Sequence, residues 1–172
     1  MRLIIIVLLL FLIDSCDIPD NRTQIEAETT GTANNIRGPS NPPDLKCNIQ
    51  KVADAESQMD SLTFSIVQDF LLTFDTTCIN NVEYSEWSNE VLFNVLTKNP
   101  ELFFEVISAA KIDNKAILHE LRTPIRDLID LSETYERVDK IPLPIELKKK
   151  YLTAICIAAK ETGQTLGIKN AY

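Results

Sequence analysis

The fold of this chain is decided by the stretch from residue 45 to residue 74, which reads LKCNIQKVADAESQMDSLTFSIVQDFLLTF. No Gly or Pro interrupts it, and its apolar residues recur at helical spacing, at Leu45, Ile49, Val52, Met59, Leu62, Ile66, Phe70 and Phe74. This periodicity predicts an α-helix. If the helix is continuous, it is roughly 45 Å long at 1.5 Å per residue.

The glycines of the chain lie outside this stretch. The four of them, at Gly31, Gly38, Gly163 and Gly167, leave residues 39–162 without one. The tight turns of β-sandwiches and barrels depend on glycine for positive φ angles. We therefore expect an all-α fold, a compact bundle of about five or six helices joined by short connections.

Polar and proline signals divide the rest of this bundle. Residues 75–84 are expected to form a loop, and Ser85 is the expected N-cap of the helix that follows. Asn99–Pro100 and Thr123–Pro124 each predict a helix start, because Pro is favoured at the first helical position.

The last helix is expected to be the central one. It is predicted to begin at Pro142-Leu143-Pro144 and to end at Gly163, the expected residue after the C-cap. Residues 152–159 are apolar nearly all round, and such a helix is usually buried on every side.

The chain begins with the features of a signal peptide. Leu3 to Ile13 form an eleven-residue run without a polar side chain. The run is too short for a membrane span of about 20 residues, but it is typical of a signal-peptide core. Ser15 and Cys16 follow, and the pattern resembles the lipobox of bacterial lipoproteins, although Asp14 stands where a small or hydroxylated residue is usual. The resemblance implies cleavage before Cys16 and a lipid anchor, with palmitate among its acyl chains; the alternative is an ordinary secretory signal with an incidental cysteine.

A polar segment separates this anchor from the helices. Residues 17–44 contain four of the eight prolines, two of the four glycines and no aromatic residue. Such a composition does not bury enough surface to offset the entropy of ordering the chain. The predicted organisation is a signal peptide at 1–15, the lipidated cysteine and a flexible tether at 16–44, a helical domain at 45–163 and a C-terminal tail at 164–172.

The charge balance bears on possible partners. The chain has 17 Lys and Arg against 25 Asp and Glu, a net charge of -8. Nucleic acids and anionic membrane surfaces repel such a protein, whereas neutral or basic proteins do not. We expect a protein partner, no nucleic acid, and contact with the membrane through the lipid anchor alone.

Three further cysteines, Cys47, Cys78 and Cys156, permit at most one internal disulfide. In a continuous helix Cys47 and Cys78 lie at opposite ends, too far apart for the Cα separation of at most about 7 Å that a disulfide needs. The pair Cys78–Cys156 is then the candidate, unless a break near residues 53–57 reopens the question. All three thiols staying reduced is the alternative.

The only histidine lies in the segment His119-Glu120-Leu121-Arg122-Thr123-Pro124-Ile125. This segment resembles the phosphoacceptor box of sensor histidine kinases. The resemblance implies that His119 accepts a phosphoryl group, that Glu120 assists it, and that Pro124 kinks a continuous helix in a dimeric four-helix bundle. The family's ATP-binding elements are missing from the sequence, and Thr123–Pro124 as a helix start explains the same letters.

No other chemical motif suggests an enzyme. One histidine and scattered thiols do not supply a zinc tetrad or a Cys–His pair, so we expect no metal, no cofactor and no catalytic activity.

The signal, the tether and the acidic helical domain together resemble spirochaetal outer-surface lipoproteins. The resemblance implies an extracytoplasmic protein, anchored to the outer membrane or cell surface, that captures host proteins such as complement regulators. A periplasmic immunity or inhibitor lipoprotein is a second possibility, and a phosphorelay domain a third. The candidate binding residues lie around the loop and the helix start that follow Cys78, at Asn80, Asn81, Glu83, Tyr84, Glu86 and Trp87. Core packing is the alternative for Trp87.

Overall fold

The segment that opens the domain folds as two helices, α1 (Ile49–Ser57) and α2 (Phe64–Leu71), in a computed structural model that describes residues 45–110, 112, 114–125 and 129–167. The prediction of one continuous helix is therefore wrong. A turn interrupts it, in which the amide of Ser61 donates to the carbonyl of Gln58 at 2.8 Å. Thr63 then caps α2, its hydroxyl accepting from the amide of Ile66 at 3.4 Å.

The remaining elements are also helical, and the all-α prediction is confirmed. Within the described residues the chain continues as a 3₁₀ helix (Thr76–Asn80), α3 (Val82–Lys98), α4 (Pro100–Ala109), α5 (Asn114–Arg122), α6 (Leu131–Lys140) and α7 (Ile145–Thr162). The described residues thus contain seven α-helices, more than the expected five or six, because the first predicted helix is two. None of the helices in these ranges is both long and apolar enough to cross a membrane.

The core is organised around α3 rather than around the last helix. Helix α3 packs against α1, α4, α5 and α6, whereas α7 packs mainly against α5 and α6. The apolar side chains at Val91, Leu92, Val95 and Leu96 of α3 are fully buried. By contrast, α7 buries one face and leaves several residues of its apolar stretch half-buried. The expected central position of residues 152–159 is wrong.

Two of the predicted helix ends are confirmed, and two are shifted. Asn99 caps α4 ahead of Pro100, and Gly163 ends α7 with a φ of 70°. Helix α3, however, begins at Val82 because the Asn81 side chain accepts from the amide of Tyr84, so Ser85 lies inside the helix. No helix starts at Thr123–Pro124 either: α6 begins at Leu131.

The disulfide joins Cys47 to Cys78, with their Cα atoms 5.5 Å apart. The predicted pair Cys78–Cys156 is wrong, and Cys156 lies on α7 outside the disulfide. The turn between α1 and α2 explains the error. The turn brings the end of α2 back to Cys47. The amide of Cys47 donates to the carbonyl of Thr73 at 2.9 Å.

Several predictions lie outside the described residues. These are the signal peptide at 1–15, the lipidated Cys16, the tether up to residue 44 and residues 168–172 of the tail. The start of the predicted tail is described and contacts the bundle. The Gln164 side chain donates to the carbonyl of Ile129 at 2.9 Å, and the amide of Gly167 donates to the hydroxyl of Ser132 at 2.9 Å.

Candidate functional site

A cleft between the 3₁₀ helix, α3 and α5 brings together residues from the two segments that the sequence singled out. Its volume is about 190 Å³. The cleft is lined by Phe74, Asp75, Thr76, Cys78, Tyr84, Ala116, His119 and Glu120. Tyr84 belongs to the predicted binding segment, and His119 and Glu120 belong to the segment that resembles the phosphoacceptor box. We call this site the His119 cleft.

The rings of Phe74 and Tyr84 form much of the apolar wall of the His119 cleft. The Phe74 ring makes edge contacts with Phe70 at 5.2 Å and with Tyr84 at 6.3 Å between ring centroids. Tyr84 is only 2% exposed, so the expectation that it is a surface residue is wrong. Its hydroxyl lies 2.7 Å from that of Thr73, which in turn donates to the Phe70 carbonyl. Burial raises the pKa of Tyr84 to about 12, so its phenol stays neutral.

Asp75 places a fixed carboxylate at the rim of the cleft. One of its oxygens accepts from both the amide and the hydroxyl of Thr77, at 2.9 and 2.7 Å, which caps the 3₁₀ helix. The other lies 3.0 Å from the ammonium of Lys46. The Thr77 hydroxyl and amide, followed by Lys46, hold the pKa of Asp75 at about 2. The carboxylate is therefore ionised at any physiological pH.

Glu120 supplies a second oriented carboxylate, held by the buried side chain of Asn89. The Asn89 amide group donates to the Glu120 carboxylate at 3.1 Å, to the Glu120 carbonyl at 3.0 Å and to the Thr123 carbonyl at 3.3 Å. Its oxygen accepts from the amide of Ile125 at 3.1 Å. Asn89 is fully buried, so these bonds replace water contacts that it has lost. One side chain of α3 thus holds both Glu120 and the end of α5.

His119 is exposed on α5, which ends at Arg122. Neither Thr123 nor Pro124 is helical, so α5 ends just before this pair of residues, although no helix starts there. The Thr123 hydroxyl donates back to the carbonyl of His119 at 3.2 Å. This arrangement differs from the kinked continuous helix that the histidine-kinase resemblance implies. His119 lines the cleft next to Glu120, and α5 ends before Pro124 instead of continuing through it.

The other residues of the predicted binding segment do not line the cleft. Asn80, Asn81, Glu83 and Glu86 are exposed, and Asn81 caps α3. Trp87 is half-buried and packs against the core. Its indole N–H donates to the carboxylate of Glu56 on α1 at 3.1 Å, so its polar atom already has a partner within the chain. These contacts favour the packing interpretation of Trp87.

A second concave surface lies along α6 and was not expected from the sequence. It consists of a cleft of about 360 Å³ against α3 and one of about 440 Å³ against α4. Both are lined by Glu133 and Arg137, which form an ion pair at 2.9 Å between them. Charged side chains of both signs line each cleft, so neither presents a clear charge to a ligand.

The His119 cleft combines an apolar wall with two carboxylates and the imidazole of His119. In the part of the chain that the structure describes, no group of three or more His, Cys, Asp or Glu residues is placed to hold a metal ion. The sequence did not predict that Phe74, Asp75 and Ala116 line the cleft. It also did not predict that Asn89 holds the Glu120 carboxylate. Two signals were visible: the Asp75-Thr76-Thr77 run has the composition of a side-chain-capped turn, and Asn89 is a polar residue on an apolar helix face.

Comparisons of the chain with protein-family models, with curated proteins and with solved structures found no match.

Proposed function

We propose that this chain is a lipid-anchored cell-surface module that binds another protein. The observation that carries the proposal is the His119 cleft, which combines an apolar wall with two oriented carboxylates. Drug-sized ligands usually occupy pockets of roughly 300–1,000 Å³. A cleft of about 190 Å³ is better suited to one side chain projecting from a partner protein.

Two features support the proposed location outside the cytoplasm. The first is the apolar run of residues 3–13 followed by Ser15 and Cys16. The second is the Cys47–Cys78 disulfide, because disulfides persist in secreted and surface proteins and are rare in reducing compartments. By resemblance to spirochaetal outer-surface lipoproteins, the partner we propose is a host serum protein such as a complement regulator.

A pull-down tests this proposal. Residues 17–172 would be immobilised and exposed to host serum, and bound proteins would be identified by mass spectrometry. The matched variants are Ala116→Phe, which fills the cleft, and Asn94→Ala, which changes an exposed residue of α3 that lines the cleft against α6 and lies outside the His119 cleft. We expect a serum protein that the wild type and Asn94→Ala retain and that Ala116→Phe loses. Equal capture by all three proteins would remove the cleft from the proposal, and no capture by the wild type would contradict the function.

The net charge of -8 supports a second candidate, a periplasmic immunity or inhibitor lipoprotein that neutralises a basic toxin. Protease treatment of intact cells separates the two. A surface module is degraded, whereas a periplasmic inhibitor is protected until the outer membrane is opened.

A further inference from the structure

The His119 cleft presents two carboxylates on a preorganised frame. Asp75 and Glu120 are the two carboxylates among its lining residues, and no Lys or Arg lines it. Thr77 holds the first through two hydrogen bonds, and Asn89 holds the second. Side chains that are already fixed lose little conformational entropy when a ligand binds. The cleft is thus prepared for a cationic group.

The wall of the cleft selects among cations. Phe74, Cys78, Tyr84 and Ala116 offer mainly apolar surface, which a bare metal ion or an ammonium ion does not cover. An arginine side chain has an aliphatic stem for such a wall and a planar guanidinium for carboxylates, and it stacks favourably on aromatic rings. The arginine side chain is also long enough to enter a cleft of about 190 Å³ while the rest of the partner protein stays outside it.

We propose that the His119 cleft binds a single arginine side chain of a basic protein partner, with Asp75 and Glu120 as the groups that contact its guanidinium. This inference rests on the proposed protein-binding function and specifies the partner's chemistry. Lys46 already contacts Asp75, but its side chain is 55% exposed. Exposed ion pairs of this kind contribute little, so an arriving guanidinium is able to displace the lysine.

A titration with a small probe tests the cleft separately from any partner. N-acetyl-arginine amide would be added to ¹⁵N-labelled protein of residues 17–172, and amide shifts would be followed by NMR. We expect saturable shifts in the segments that line the cleft, around residues 74–78 and 116–120. N-acetyl-citrulline amide, which has nearly the same shape and no charge, should bind about 25-fold more weakly, because it loses two exposed charge pairs at about fivefold each.

The variants keep the fold while changing the charge. Glu120→Gln retains an oxygen that accepts from Asn89 but loses the charge, so arginine amide should bind about fivefold more weakly. Glu133→Gln, on α6 and outside the cleft, should bind like the wild type. Lys46→Met removes the competing cation and should strengthen binding. The spectrum of each variant reports directly whether it is folded.

The outcomes separate this inference from the proposed function. Shifts elsewhere, no saturation, equal binding of citrulline amide, or undiminished binding by Glu120→Gln would each overturn the arginine site. If a serum protein is captured in the pull-down while arginine amide fails to bind, the protein-binding function stands and the arginine site falls. If arginine amide binds in the cleft while no protein is captured, the arginine site stands and the proposed function falls.

Discussion

The Cys47–Cys78 disulfide should be a major contributor to the stability of the domain. It closes a loop of 31 residues that contains all of α1 and α2. In the chain-entropy treatment, a cross-link over that length destabilises the unfolded state by about 3.7 kcal/mol at 25 °C. Domains of this kind are usually stable by only about 5–15 kcal/mol in total. Replacing both cysteines by alanine should therefore remove a large share of the free energy of unfolding.

Urea denaturation followed by far-UV circular dichroism measures this effect. We expect the Cys47→Ala, Cys78→Ala double variant to lose about 3–4 kcal/mol, near the entropic value. Packing lost at Cys78, which is 5% exposed, adds to that loss. The slope of free energy against urea should also rise, because the unfolded chain without its cross-link exposes more surface.

The control is Cys156→Ala, which removes a half-buried thiol outside the disulfide. Its stability should change by about 1 kcal/mol, as for a typical point substitution. Reductant should destabilise the wild type and this control alike and leave the double variant unchanged. If the wild type is insensitive to reductant and the double variant is within about 0.5 kcal/mol of it, the assigned pairing and the entropic argument are both refuted.

Three other predictions address the anchor, the Asn89 contacts and the carboxylate of Asp75. Labelled palmitate should enter the wild type in cells and be absent from Cys16→Ala; equal labelling would exclude lipidation at this residue. Asn89→Ala should cost about 2–3 kcal/mol in urea denaturation, since it removes the hydrogen bonds to Glu120, Thr123 and Ile125 and leaves a cavity at a fully buried position, whereas Asn94→Ala at an exposed position of the same helix should stay within about 0.5 kcal/mol. The folded pKa of Asp75 is lowered from 3.8 to about 2, so its stabilising effect is present above 3.8 and is lost as the pH falls towards 2. The stability difference between the wild type and Asp75→Asn should accordingly shrink over that range, and a difference independent of pH would contradict the assigned contacts.

Local sequence signals predicted the structure correctly where residues adjacent in the sequence determine it. Asn99–Pro100 and Gly163 act through caps that involve only a few adjacent residues, and both worked as expected. The break between α1 and α2 escaped detection because Met59 and Leu62 keep the helical spacing of apolar residues across the turn. Both pack against the core from the turn itself. The apolar periodicity therefore predicted correctly which residues are buried or half-buried, but predicted wrongly that they belong to one helix. The predicted disulfide pairing was wrong because it assumed that continuous helix.

The cleft depends on contacts between distant parts of the chain, which spacing does not reveal. Asn89 and Glu120 are 31 residues apart, yet the amide of one orients the carboxylate of the other. Likewise, Thr123–Pro124 has the local composition of a helix start, but the residue that decides its structure lies on α3. Asn89 accepts from the amide of Ile125 just beyond the proline and donates to the Thr123 carbonyl just before it.

These contacts also account for the segment that resembles a phosphoacceptor box. Leu121 is fully buried in the core. Thr123 and Pro124 follow the end of α5, where the Asn89 side chain donates to the carbonyls of Glu120 and Thr123. Packing and helix termination therefore explain Leu121, Thr123 and Pro124 in this segment, and phosphoryl transfer is not needed to explain them. The same termination leaves Glu120 fixed and His119 exposed at the mouth of a cleft lined by Asp75. The segment's contribution to function, in our proposal, is the oriented carboxylate that follows the histidine.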